Sequence, residues 1–194
     1  FDCPNGLNAI YDFEIWKDLE NNYNSYPIFT AKEFLDTNKK SNELNFVSIG
    51  INDFSYNLTK KILNDKTIVL VLETENLAGM TEQRRVFFEL IEKGITNPVI
   101  LKRDYSNITF EDLQLYSSTD LGALLVDGFG DGVWLYVDDL KSDIEISGTY
   151  VKSFIKKSET KEKIVNRLLF NILQAARQRI SKTEYIACPS CGRT

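Results

Sequence analysis

Thr67-Ile68-Val69-Leu70-Val71-Leu72 is an unbroken run of β-branched and aliphatic residues. A strand with one wet face alternates apolar and polar positions. A continuous run of this length suits a strand buried on both faces, as in a parallel sheet covered by helices. Its neighbours repeat the theme. Phe46 to Ile51 reads as a strand, followed by Asn52-Asp53 and a helix from about Phe54 to Leu63. After the central run, Thr81 is placed to cap a helix with Glu82 in its first turn, where an acid favours the positive dipole end. Val86, Phe87, Leu90 and Ile91 form its apolar face. Gly94 sits where a left-handed C-terminal residue belongs, and Ile95 follows it.

Pro98 to Leu101 reads as the next strand, and Thr109 caps a helix carrying Glu111 and Asp112 in its first turn. Ala123 to Asp127 reads as a further strand, then Gly128-Phe129-Gly130-Asp131-Gly132 and the apolar run Val133 to Val137. Residues 138–150 are irregular, with a short strand at 144–146. A long helix is predicted over 161–179, with Ile164, Val165, Leu168, Leu169, Ile172, Leu173 and Ala176 on one stripe and Arg177 and Arg179 in its last turn. Glu184 to Ala187 reads as a strand leading to the C-terminal cysteines. Residues 1–45 carry weak periodicity; a helix over 31–40 with Phe34 and Leu35 inward is the one element predicted there.

Strands alternating with helices at this spacing imply βα units. The fold class predicted is α/β: a partial or degenerate TIM-like barrel with mainly parallel strands. About five good strands are legible, too few for a closed eight-stranded barrel. An open doubly wound sheet is the runner-up.

The 194 residues suffice for one domain with a sizeable core. A net charge of −5 makes the average surface repel nucleic acid and anionic membranes, and no apolar run approaches a membrane span. Neither is expected as a partner. Histidine is absent, which excludes Ser-His-Asp and Cys-His catalysis and His-ligated zinc within these residues. Three cysteines, an odd number, argue against a disulfide framework.

Cys188-Pro189-Ser190-Cys191-Gly192 is a Cys-x-x-Cys knuckle: two thiolates at this spacing meet one metal and half-fill a tetrahedral or iron–sulfur site. It also reads as an incidental reduced pair, or as half of a zinc site shared with another chain. A thioredoxin-type role is disfavoured, because that motif opens a helix. Cys3 is a conceivable third ligand in an unrelated turn. The Gly128–Gly132 loop reads as a tight turn more readily than as a phosphate cradle, because extended structure follows it. Asp127, Asp131, Glu73 and Glu75 are placed at strand ends, where carboxylates serve catalysis or capping. Arg84-Arg85 and Lys102-Arg103 read as solvated or ion-paired faces.

Two stretches carry a family resemblance. One runs from Val69–Glu73 through Asn97–Arg103 to Asp120–Gly132. The other joins Asn171–Arg177 to Lys182–Thr194, with the knuckle. Together they resemble the long, three-domain form of 4-hydroxy-3-methylbut-2-enyl diphosphate synthase, over roughly residues 66–194; residues 1–65 show little match. The resemblance implies that residues 1–185 are the α/β middle domain inserted between a substrate-binding barrel and an iron–sulfur domain, with 1–45 poorly defined. Residues 186–194 would begin the iron–sulfur domain and be truncated. It implies a 4Fe–4S cluster in the full-length enzyme, with Cys188 and Cys191 as two of its ligands and none bound by this segment alone. The implied reaction is reductive ring opening of 2-C-methyl-D-erythritol 2,4-cyclodiphosphate, with two electrons from ferredoxin or flavodoxin. The implied partners are the enzyme's other two domains and that electron donor. The implied compartment is the bacterial cytoplasm or the plastid stroma, and the segment's role is structural, inactive alone.

Overall fold

A computed structural model describes residues 6–20, 23–141, 160–180, 182 and 183. Six strands form one sheet: β1 (Ala9–Asp12), β2 (Ser25–Thr30), β3 (Asn45–Ile49), β4 (Ile68–Leu72), β5 (Val99–Tyr105) and β6 (Gly132–Val137). Every neighbouring pair is parallel. Strand order follows chain order from β1 to β6. A doubly wound sheet reverses direction at a switch point. A sheet that never reverses, with crossovers of one hand, carries its helices on one face and curls. The architecture is therefore a half-barrel of βα units, a partial TIM-like barrel.

The helices are α1 (Phe13–Trp16), α2 (Ala31–Asp36), α3 (Tyr56–Leu63), α4 (Gly79–Glu92), α5 (Phe110–Ser117), α6 (Ala123–Val126) and α7 (Lys161–Ala175). The core lies between them and one face of the sheet. Strand register places Phe29, Val47, Leu70 and Val99 side by side on that face, with Leu72, Leu101, Leu135 and Val137 further along it. All are buried.

The central strand and the local caps follow the sequence. The β4 residues are buried except half-exposed Val69. The Thr109 hydroxyl accepts the Asp112 N–H and caps α5. Gly94 has φ +68°, and the Ile95 N–H reaches back to the Leu90 carbonyl at 2.9 Å, closing α4 as expected. On α7, Ile164, Leu168 and Ile172 are buried, and Val165, Leu169, Leu173 and Ala176 pack against the core.

Several expectations are corrected. Ala123–Val126 is helix, not strand. It ends a continuous helical run in which Ser118–Gly122 winds as one π turn between α5 and α6. Leu121, Leu124 and Leu125 are buried at helical spacing, so a short apolar run was ambiguous and the neighbouring turn decided it. The N–H of Phe129 then bonds to the Leu124 carbonyl, with Gly128 at φ +83°. α4 starts at Gly79, two residues before Thr81, and has no side-chain cap at Ala78; a carboxylate from the π turn serves instead. Ile91 is 62% exposed, outside the buried stripe. α3 begins after Ser55, whose hydroxyl accepts the Leu58 N–H. α7 stops at Ala175, and Arg177 adopts φ +59°, so neither arginine lies in its last turn.

The described part of the N-terminal 45 residues is folded into the sheet and its helical layer. β1 and β2 extend the sheet, and Thr30 with Glu33 forms a reciprocal capping box on α2, which is shorter than the predicted 31–40. The strands predicted at 144–146 and 184–187 lie outside the described residues.

Candidate functional site

In βα folds, chemistry gathers at the C-terminal ends of parallel strands. Here those ends frame a cleft of about 740 Å³ whose polar walls include Ser48, Asp53, Glu73, Glu75, Glu82 and Lys102. Each wall is fastened locally. The Asp53 carboxylate accepts the Gly50 N–H at 2.7 Å and closes the turn after β3. Glu82, in the first turn of α4, accepts from the Thr74 hydroxyl and, at 3.0 Å, from the Asn76 amide. Those two hydrogen bonds hold its carboxyl below the usual glutamate range.

Lys102 projects into the cleft from β5. Its Nζ lies 2.6 Å from Glu73 and 3.4 Å from Asp104, with the Trp134 ring centroid 5.4 Å away. Burial alone would lower its pKa. The hydrogen bond to Glu73 and the two carboxylate charges outweigh that and raise it. Lys102 is thus a held cation, unlike the neutral amine that nucleophilic or Schiff-base chemistry requires.

Beside the cleft, and 6% exposed, sits Arg103. Its Nε donates to Asp120 Oδ2 at 2.9 Å, Nη1 to the Thr74 carbonyl at 2.8 Å, and Nη2 to the Asn76 carbonyl at 3.2 Å. The Tyr105 hydroxyl donates to the same Asp120 oxygen at 2.7 Å, and the Met80 N–H to its other oxygen at 3.3 Å. Burial, and then the Asp120 contact, push the Tyr105 phenol well above its ordinary value. One carboxylate from the π turn therefore joins β5 to the start of α4, and the guanidinium it holds ties in the loop after β4. Gly79 makes room: a Cβ there would stand 2.3 Å from Arg103 Cζ.

The sequence reading of Lys102-Arg103 as solvated or ion-paired holds for the pairing, since both are ion-paired, but it did not foresee that Arg103 is buried or that Asp120 is its partner. The signal was the period-two alternation of β5, which puts Val99, Leu101 and Arg103 on the buried face and leaves Lys102 on the other.

Of the carboxylates singled out in the sequence, Glu73 and Glu75 line the cleft. The other two do not share it, which corrects their placement at strand C-terminal ends. Asp127 follows α6 and pairs with Arg84. Asp131 precedes β6, at the opposite end of the sheet, and exchanges two hydrogen bonds with the Val99 backbone. The Gly128–Gly132 loop follows a helix and leads into β6. Gly130, at φ +91°, approaches Leu101 so closely that a Cβ would lie 2.9 Å from its Cγ. The loop is a packed turn with no helix start to cradle a phosphate.

Cys188, Cys191 and Cys3 lie outside the described residues. Among the described residues, no group of three or more Cys, Asp or Glu side chains is placed to hold a metal. No described helix is long and apolar enough to cross a membrane.

Fold and site define a class: a segment of (βα) half-barrel whose strand ends frame an acidic cleft around one held lysine. Comparison with known proteins gives the family. The chain is 36% identical over 191 residues to the 4-hydroxy-3-methylbut-2-en-1-yl diphosphate synthase (flavodoxin) of Parabacteroides distasonis, covering 98% of this chain and 28% of that one. It is 38% identical over 149 residues to the Porphyromonas gingivalis enzyme of the same name, covering 77% and 22%. Against the synthase (ferredoxin), chloroplastic, of Oryza sativa subsp. japonica it is 35% identical over 138 residues, covering 69% and 16%. The chain belongs to the 4-hydroxy-3-methylbut-2-en-1-yl diphosphate synthase family and spans about 28% of the length of the first of these relatives. The match takes in the N-terminal 65 residues, where the sequence alone shows little family resemblance. No protein-family model and no solved structure matches the chain.

Proposed function

We propose that this chain is the inserted middle domain of a long-form 4-hydroxy-3-methylbut-2-en-1-yl diphosphate synthase, with residues 186–194 opening the iron–sulfur domain. Its role is to hold the substrate barrel and the cluster domain at a working separation. The whole enzyme would reductively open 2-C-methyl-D-erythritol 2,4-cyclodiphosphate, taking two electrons from flavodoxin or ferredoxin, in the bacterial cytoplasm or the plastid stroma. Cys188 and Cys191 would be two of the 4Fe–4S ligands, the others lying elsewhere in the enzyme.

The observation that carries this reading is the match of 98% of the chain onto 28% of one synthase. The cleft supports a structural role. Lys102 is held by Glu73 and Asp104, and Glu82 by Thr74 and Asn76. Those groups are committed to the fold, and histidine is absent as a base. The test is direct. The 194-residue chain, supplied with the cyclodiphosphate and a chemical reductant, is expected to give no turnover. Reconstitution with iron and sulfide should give no stable 4Fe–4S absorbance. In the full-length protein, Cys188→Ser should abolish both cluster absorbance and activity. Turnover by the chain alone would overturn the proposal.

A further inference from the structure

We infer that the apolar groove between α6 and α7 is the seat of the domain that follows this segment in the longer synthases. This rests on the reading of the chain as their middle domain. The groove, about 540 Å³, lies on the outer side of the helical layer and is lined chiefly by Gly122, Ala123, Val126, Ile172, Ala175 and Ala176. The π turn and α7 meet at its floor, where a Cβ on Gly122 would be 3.6 Å from the Ile172 Cγ2. Val126, on one wall, is 70% exposed. Covering that side chain together with the small apolar residues of the groove would remove apolar surface from water and so favour an apolar partner.

Of the three polar side chains that line the groove, Ser118 is exposed and the other two are already engaged. The Thr119 hydroxyl donates to the Leu115 carbonyl at 2.9 Å, and Asp127 pairs with Arg84. No uncompensated charge is left to recruit a phosphate or a basic peptide. An apolar ridge of small cross-section is the chemistry that fits.

Connectivity selects which ridge. Ala175 and Ala176 line the groove, and the chain leaves from its rim. There Gln178 Nε2 donates to the Leu125 carbonyl at 3.1 Å, and Lys182 exchanges hydrogen bonds with the Gln174 side chain. Cys188 comes twelve residues after Ala176. A domain on so short a tether is present at an effective concentration on the order of millimolar, far above that of a separate molecule. Even a modest apolar contact is then occupied by the adjoining domain before any second copy reaches it.

The experiment is hydroxyl-radical footprinting of the full-length synthase, reading Val126 against Leu77, which is fully exposed on the loop after β4. Docking is expected to reduce Val126 oxidation about tenfold relative to Leu77, as a dry interface core excludes water. Ala175→Glu places a charge on an exposed groove position and should restore Val126 oxidation. An exposed residue leaves the segment's own fold intact, which circular dichroism checks. If that variant proves unfolded, Ala123→Glu serves in its place. Equal reactivity of Val126 and Leu77 in the wild-type protein would overturn the inference. So would protection that disappears on dilution, since that marks a second copy as the occupant. The two proposals fail separately. Protection of Val126 in a protein that turns over no cyclodiphosphate sinks the synthase reading alone. Turnover with Val126 unprotected sinks the docking alone.

Discussion

Asp120 receives three donors from two distant parts of the chain: Arg103 and Tyr105 on β5 and the Met80 N–H at the start of α4. Asp120→Ala strands the buried guanidinium and the Tyr105 hydroxyl together. It should cost about 3–5 kcal/mol of unfolding free energy in urea titrations; a loss below about 1 kcal/mol would show that water takes the carboxylate's place. Gly79 makes a sharper test because the sign reverses. In an exposed helix, Gly→Ala stabilises by roughly 1 kcal/mol. Here the added methyl meets the pinned Arg103 head, so Gly79→Ala should lower the melting temperature. None of this was legible in the letters Lys102-Arg103 and Asp120-Leu121-Gly122. The partners are brought together from separate parts of the chain, and local periodicity carries no record of which arginine meets which aspartate.

Local chemistry served better for whole elements. Thr109 and Gly94 bound their helices as their types require, and α7 buries the stripe its spacing defines. Leu168, 1% exposed, is the strictest position on that stripe. Leu168→Asp would bury an unpaired carboxylate and should abolish the cooperative unfolding transition seen by circular dichroism. The loop after β4 should respond to acid. Glu82 has a depressed folded-state pKa, so its contribution is present above the ordinary glutamate value and is lost as pH falls through the lower folded one. The urea midpoint should therefore fall below about pH 4.5, and Glu82→Gln should flatten part of that slope. The element read wrongly was Ala123–Val126. Four apolar residues satisfy strand and helix alike, and the preceding helical run settles the choice.

At the scale of the molecule, the N-terminal residues prove to belong to the same core. Phe29 is fully buried, with the rings of Phe13 and Phe34 at 4.6 and 5.7 Å. Phe29→Ala should cost about 3–5 kcal/mol and shift a single, whole-molecule transition in calorimetry. A separate low-temperature transition would show β1 and β2 to be an independent unit. What the sequence by itself determined is the repeating βα grammar, the mainly parallel sheet of a partial barrel and the family resemblance of residues 66–194. Each is encoded by neighbours within one or two turns or strands, where side-chain spacing acts directly on the backbone. Only the tertiary structure decided between that partial barrel and the doubly wound alternative, through a strand order that never reverses, and decided that Arg103 is buried while Lys102 faces the cleft, and that Asp127 and Asp131 leave the strand ends. Those outcomes depend on burial and pairing between distant segments, and such pairings acquire their energy only after the chain has closed around them.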